Sequence, residues 1–399
     1  MAEPMMKPLT GVRIIAVEQY GAGPFGTMYL ADLGAEIIKI ENPPEGDVSR
    51  ATGPYFMGEG DSQFFQTFNR NKKSLSLNLK TPEAKAIFHK LVAQADGVLN
   101  NLRGDQPAKL GLTYDALKGV NRQVVCAHLS AYGRIGPRAT YPGYDYLMQA
   151  EAGFMHLTGA EDDPPTRFGL SLVDFQTGIV TALGLLAGII GARASGQGCD
   201  IDTSLFDVAL HQTSYPATWY LNEKDDVGRK SRSAHPSTVP CEVYPTKDGW
   251  VFIMAMIPKF WESLCEILGV ADLVKDERFV NAEARRKNRV VLETVLDPVF
   301  KTKTTAEWVA ALQGKCPVAP VLTVAQALEN PYIREVGMVE SYEHPATGKF
   351  EMLSSPYRVD GERPKGTRGP LQGEHTEEIL RGLGYDAAAI SELRKKGAV

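Results

Sequence analysis

The chain has 399 residues, 43% of them hydrophobic, and a net charge of −5 from 43 basic and 48 acidic residues. That length supports two or three domains, and the even mixing of signs leaves no basic domain to hold nucleic acid. The N-terminal Met1-Ala-Glu-Pro-Met-Met-Lys-Pro-Leu9 lacks a signal-peptide core, the five cysteines form no C-x-x-C pair, and the longest apolar run, Gly178 to Ala192, is short for a bilayer and reads as a buried helix. A reduced, cytoplasmic protein is expected, without membrane span, structural disulfide or metal site.

Val12 to Gln19 reads as a buried strand, Tyr20 to Gly23 as a turn, and Pro24 suits the first turn of a helix through Leu33. Ala35 to Glu41 then reads as a second strand, completing a strand–helix–strand unit. Leu75 to Leu79 is a further strand, Thr81-Pro82-Glu83 opens a helix with Thr as cap, and Val98 to Leu102 and Gln123 to Leu129 are strands. This alternation over residues 1–220 predicts an α/β, doubly wound layer. Near Asn222 a polar connector begins. Beyond it, Thr246-Lys-Asp-Gly249 signals a hairpin between Glu242-Val-Tyr244 and Trp250 to Met254, and Thr304 with Glu307 forms a capping box. Residues 225–330 therefore read as a smaller α+β domain. Hairpin-like strands over Gly337 to Arg358 and a last helix near Ala387 to Lys395 end the chain.

Asp174 stands between Arg167-Phe-Gly-Leu-Ser-Leu-Val173 and the apolar run, where a carboxylate is either a helix N-cap or a nucleophile. Gly21-Ala-Gly-Pro-Phe-Gly26 matches G-x-G-x-x-G after a strand and before a helix, with Glu41 where a ribose-binding acid would sit. A plain tight turn competes with this dinucleotide reading, because Pro24 removes a donor and Lys39 and Glu41 share a strand face and can pair. Asn69-Arg-Asn-Lys-Lys-Ser74 is an anion site or a solvated turn, and Asn100-Asn-Leu102 is a crevice edge or a turn. In Tyr141-Pro-Gly-Tyr-Asp145 the aspartate caps a helix or pairs with Asp174. His128, His211 and His235 have no metal or triad spacing and read as structural.

Taken together, the chain resembles the class III CoA-transferases, which include formyl-CoA transferase and carnitine CoA-transferases, with α-methylacyl-CoA racemase as a related branch. The resemblance runs nearly end to end. It is carried by Pro8-Leu-Thr-Gly-Val-Arg-Ile-Ile15, Ala22-Gly-Pro24, Leu33-Gly-Ala-Glu-Ile-Ile-Lys-Ile-Glu41, Phe68-Asn-Arg-Asn-Lys-Lys-Ser74, Leu110-Gly-Leu112, Pro142-Gly-Tyr-Asp145, Leu172-Val-Asp174, His235-Pro-Ser237, Asp248-Gly-Trp250 and Leu371-Gln-Gly-Glu-His375.

The resemblance implies a Rossmann-like large domain from residues 1–220 completed by 335–399, a small domain over 225–330, and two chains interlocked in a homodimer. It places the family's nucleophile on Asp174, which would carry CoA from an acyl-CoA to a carboxylic acid through mixed-anhydride and aspartyl-CoA thioester intermediates. CoA enters as part of the substrate, and no other cofactor or metal is implied. Gln19, Tyr20, Gly21 and Ala22 would lie beside the thioester. Asn69, Arg70, Lys72, Lys73, Asn101, Leu102 and Lys109 would contact CoA, while Tyr144, Asp145 and Arg167 are further candidates for the acyl pocket.

Two departures matter, the first for the branch and the second against specificity for oxalate or formate. Racemases carry a His-Asp pair where this chain has Tyr144-Asp145, and a tyrosine phenol, which ordinarily titrates near ~10, is a poor base at neutral pH. The glycine-rich loop of formyl-CoA transferase is replaced by the short His235-Pro-Ser-Thr-Val239. Transfer to a small organic or dicarboxylic acid is therefore preferred over 2-methylacyl-CoA racemisation. A silent CoA-binding carrier and a NAD-dependent dehydrogenase are the remaining readings.

Overall fold

In the computed structural model, which describes residues 7–399, the alternating apolar runs form one six-stranded sheet. Its strands are β1 (Arg13–Val17), β2 (Glu36–Glu41), β3 (Lys73–Ser76), β4 (Gly97–Asn100), β5 (Val125–Ser130) and β6 (Asp200–Ser204), in the order β3-β2-β1-β4-β5-β6. Every pairing is parallel. The order reverses between β1 and β4, and open α/β sheets bind ligands beyond the C-terminal ends of the strands at such a switch point.

Both faces of the sheet are covered, which is why its inner strands carry apolar pairs such as Ile14-Ile15, Ile37-Ile38 and Val98-Leu99 rather than a strict alternation. Successive residues of β1 enter opposite cores. Ile15 joins Ile38, Leu75, Val98 and Phe88, whereas Ile14 joins Ile37, Leu99, Val125 and Leu185. On the first face lies α3 (Pro82–Val92), whose Thr81 cap accepts the Ala84 N–H. On the second lie α1 (Ala22–Asp32) and α8 (Leu172–Ser195). The intervening helices are α2 (Gln63–Asn69), α4 (Gln106–Leu110), α5 (Tyr114–Leu117), α6 (Asp145–Glu151) and α7 (Phe154–Leu157), with α9 (Leu205–Gln212) following β6.

The chain divides into two units: residues to Ala152 with Gly169–Thr213 and Pro331–Val399, and Gly153–Phe168 with Ser214–Asn330. The second contains a three-stranded antiparallel sheet, β7 (Cys241–Pro245), β8 (Trp250–Met254) and β9 (Val318–Pro320), with Tyr244, Trp261, Phe300 and Trp308 in its core. The Thr304–Glu307 capping box is formed. In the first unit, β10 (Val339–His344) and β11 (Gly348–Leu353) form the C-terminal hairpin, and the Ala387–Lys395 helix sends Ile390 and Leu393 into the core with Ile15.

Several sequence expectations are corrected. The α1 helix begins at Ala22, inside the expected Tyr20–Gly23 turn, while Pro24, its third residue, lies in the first turn as expected. The β3 strand begins at Lys73, two residues before the apolar run, because Lys73 and Ser74 pair with β2. The apolar run lies within a longer helix, α8, buried on one face only: Leu185 and Ile189 are inside, while Leu183 and Ile190 are 66% and 70% exposed. By length and composition α8 could cross a membrane, but its inner face packs against the sheet.

Candidate active site

Two glycines bring the site together. A Cβ on Gly26 of α1 would lie 2.2 Å from the Gly178 carbonyl oxygen of α8, and a Cβ on Gly178 would lie 2.2 Å from that of Ala22. Glycine at both positions lets the two helix backbones touch, which sets the first turn of α8 against the β1–α1 turn. Asp174 consequently faces Gly21.

Asp174 is the third residue of α8 rather than its N-cap. The cap position is Ser171, whose side chain makes no capping bond. The Asp174 backbone N–H is satisfied from outside the helix, donating to Asp145 Oδ2 at 3.0 Å. The other oxygen of Asp145 accepts from Gln149 Nε2 (2.6 Å), which also donates to the Leu170 carbonyl (3.1 Å). Asp145 is thus both the first residue of α6 and the external cap of α8. The Asp174 carboxyl group is pushed up to about 7 from its ordinary 3.8, first by burial and then by the negative charge of Asp145.

The facing turn is held by its neighbours. Asn101 brackets Gln19, accepting its N–H (2.9 Å) and donating to its carbonyl (2.7 Å). Tyr20 adopts φ +66°, an uncommon left-handed conformation for a large residue. Its N–H donates to Asp47 Oδ1 (3.0 Å). Asp47 in turn pairs with buried Lys39 at 2.7 Å, and Lys39 also donates to the Glu18 carbonyl.

Asp174 opens into a cavity of about 190 Å³ lined by Gln19, Tyr20, Gly21, Ala22, Asn101, Leu102, Arg103, Tyr141, Tyr144 and Leu205, among others. A second cavity of about 370 Å³ adjoins it through Gln19 and Leu102. The second lies beyond the C-terminal ends of β1 and β2, with Val17, Ile40, Leu77, Leu79, Leu110 and Lys80 in its lining. Leu77, Leu79, Lys80 and Arg103 did not emerge as site residues from the sequence. A signal was present: the Leu75-x-Leu77-x-Leu79 alternation runs past β3, and the Leu77 N–H still donates to the Glu41 carbonyl at 2.9 Å.

The basic cluster sits elsewhere. Asn69, Arg70 and Lys72 are buried. Arg70 forms a bidentate pair with Asp32, and Lys72 contacts Glu18 (2.8 Å), Asn69 Oδ1 and the Pro24 carbonyl. Burial pulls the Lys72 ammonium down to about 8 despite Glu18. These side chains hold α1 to its surroundings and are not among the residues that line the two cavities. Lys73 is partly exposed and pairs with Glu36 and Glu378, while exposed Lys109 pairs with Asp105. Arg167 belongs to the second unit.

The dinucleotide reading fails on Glu41. Its carboxylate is buried, forms a bidentate pair with Arg50 and accepts from Ser74 Oγ, leaving nothing to hold a ribose. Nor does Glu41 pair with Lys39, whose carboxylate partner is Asp47. His128 lies between Asn100 and Asp200, and His235 Nδ1 accepts the N–H groups of Ser237 and Thr238. Among the described residues no cluster of three or more His, Cys, Asp or Glu could hold a metal ion.

Comparison with known proteins gives this arrangement a family. The model of CoA-transferase family III matches residues 9–376. Human succinyl-CoA:glutarate CoA-transferase is 33% identical over 99% of this chain and 90% of its own length. Succinate–glutarate CoA-transferase of Agrobacterium fabrum is 32% identical over 94% of this chain and 96% of its own. A CAIB/BAIF family protein from Brucella suis superimposes with a TM-score of 0.81 at 31% identity, covering 94% of this chain and 99% of its own. The chain belongs to CoA-transferase family III and is an enzyme that transfers CoA to carboxylic acids.

Proposed function

We propose that Asp174 is the nucleophile of this transfer. The observation that carries the reading is a carboxylate held beside an open cavity at the helix start, with its backbone N–H capped by a different residue. Ionised Asp174 attacks the donor thioester carbonyl, and the C–S bond breaks to give an aspartyl mixed anhydride and CoA thiolate. The thiolate attacks the aspartyl carbonyl of the anhydride, releasing the donor acid and leaving an aspartyl-CoA thioester. The acceptor carboxylate attacks that thioester and expels the thiolate, which then attacks the acceptor acyl carbonyl. Acyl-CoA leaves and Asp174 is regenerated as carboxylate. The first N–H groups of α1, which have no intrahelical partner, are the donors we assign to the developing oxyanion.

The acyl group occupies the smaller cavity, with Gln19, Tyr20, Gly21, Ala22 and Tyr144 in its walls, while Asp145 acts behind Asp174. We assign the larger cavity to the nucleotide end of CoA, with pantetheine passing Gln19, Asn101 and Leu102. Lys80, in the lining of that cavity, and Arg103 and Lys109, held nearby by their shared partner Asp105, are the cations we assign to the CoA phosphates. The names of the two glutarate relatives favour a small dicarboxylic acid as acceptor. Racemisation is less favoured, because Tyr144 offers a phenol and Asp145 already accepts two hydrogen bonds. We further propose an interlocked homodimer in the cytoplasm. The exposed apolar side chains Ile179, Leu183 and Ile190 on α8 support a second copy, and the five free cysteines fit a reducing compartment.

Intact-protein mass spectrometry tests the mechanism. Succinyl-CoA should leave a CoA-sized adduct that maps to Asp174 and disappears with hydroxylamine. Transfer retained by Asp174→Ala would refute it.

A further inference from the structure

Three glycines surround the start of α1, and each avoids a different neighbour. A side chain on Gly26 is excluded by the α8 backbone, since its Cβ would lie 2.2 Å from the Gly178 oxygen. One on Gly23 would press at 3.1 Å on the Asn101 and Glu18 side chains. Gly21 meets neither obstacle. Its φ of −112° and ψ of −59° are open to any L residue, so conformation does not require glycine. It is the N-cap of α1, a position where Ser, Asp or Asn serve at least as well as glycine, so capping does not require glycine either. Beyond its chain neighbours, the one atom among the described residues within 4 Å of a Cβ at Gly21 would be Asp174 Oδ2, at 3.7 Å.

A side chain at Gly21 would therefore fill the space in front of the Asp174 carboxylate. Nucleophilic attack brings the reacting carbon to about 3–3.5 Å from the oxygen, within that same space. We propose that Gly21 sets acyl specificity: its missing side chain leaves the volume occupied by the acyl chain of the donor and then of the acceptor, so the size of the residue here fixes the size of acid that can be transferred. The inference rests on Asp174 being the nucleophile. The cavity it bounds is small, about 190 Å³. That accommodates a short acid chain and gives each methyl group added at Gly21 a measurable share of the space.

The test is a size series at Gly21 against a size series of acids. Wild type, Gly21→Ser, Gly21→Ala and Gly21→Val are assayed for transfer from succinyl-CoA to acetate, propionate and glutarate, and from acetyl-CoA to propionate, succinate and glutarate. Free-CoA binding by calorimetry and melting temperature are measured on every variant. The expected result is that kcat/KM for glutarate, relative to acetate, falls stepwise with residue size and at least tenfold in Gly21→Val, with CoA affinity unchanged. An equal loss for every acid, or an unchanged acid preference in Gly21→Ala and Gly21→Ser, would overturn the proposal. Asp174→Asn run alongside separates the two readings. If it retains transfer, the mechanism itself fails. If it is inactive while the Gly21 series shows no size dependence, only the Gly21 assignment fails.

Discussion

Replacing Asp174 by asparagine should remove activity and make the protein more stable, and the gain should depend on pH in a calculable way. The carboxyl group titrates at about 7 in the fold and at about 3.8 when exposed. Between those values the folded chain holds a proton that the unfolded chain has released. The carboxyl group's contribution is therefore complete below about pH 4, is lost as pH rises towards 7, and stays lost above it. Each pH unit in that window is worth about 1.36 kcal/mol, so from pH 5 to pH 8 wild type should lose about 2–3 kcal/mol that Asp174→Asn does not. For a domain of this size that is roughly 5 °C in melting temperature. The assay is urea and thermal unfolding of both proteins at pH 5, 6, 7 and 8 and equal protein concentration. New hydrogen bonds made by the asparagine amide contribute equally at every pH and drop out of the comparison. A difference between the two proteins that is flat across this range, or that narrows as pH rises, would refute the view that ionised Asp174 is held in the site against its solvation.

The same ionisation predicts that kcat/KM falls about tenfold per unit below pH 7, and that Asp145→Asn moves this limb to lower pH by removing the adjacent charge; an unmoved limb in a pH–rate profile would count against the coupling. Gly26→Ala should destabilise the first unit by at least about 2 kcal/mol and depress transfer, since its Cβ would meet the Gly178 carbonyl at 2.2 Å; urea unfolding with activity assays checks both. Lys72→Met should cost about 3–5 kcal/mol, because it leaves Glu18 buried and uncompensated with Oε2 already unbonded; a loss under 1 kcal/mol in urea unfolding would show that the pair does not hold α1.

The elements most legible in the sequence are those with local causes. Thr81 and Thr304 cap helices because a short hydroxyl can reach the third N–H ahead. The Thr246–Gly249 turn closes its hairpin for an equally local reason. Long-range partners were less legible. The Asn69–Lys73 run reads as an anion site, yet Arg70 and Lys72 find Asp32 and Glu18 at sequence distances no local pattern reveals. Glu41 likewise occupies the position of a ribose acid but is taken by Arg50. Periodicity could not indicate that α8 is buried on one side only, because both sides are apolar; Leu183 and Leu185 differ in composition not at all and in exposure completely.

Asp174 itself shows how one reading of a residue can fail locally while the other is left open. An aspartate at the N-cap commits an oxygen to a backbone N–H, which stabilises its anion and lowers its pKa. Placed three residues further in, Asp174 leaves that duty to Asp145, whose oxygens accept the Asp174 N–H and the Gln149 amide. The negative end of that cap then lies close to Asp174 and raises its pKa beyond the effect of burial. On the proposed mechanism, capping and nucleophilicity are divided between two carboxylates. One is committed to hydrogen bonds from Asp174 and Gln149, and the other, pushed up to about 7, turns Oδ2 to the space that Gly21 leaves open.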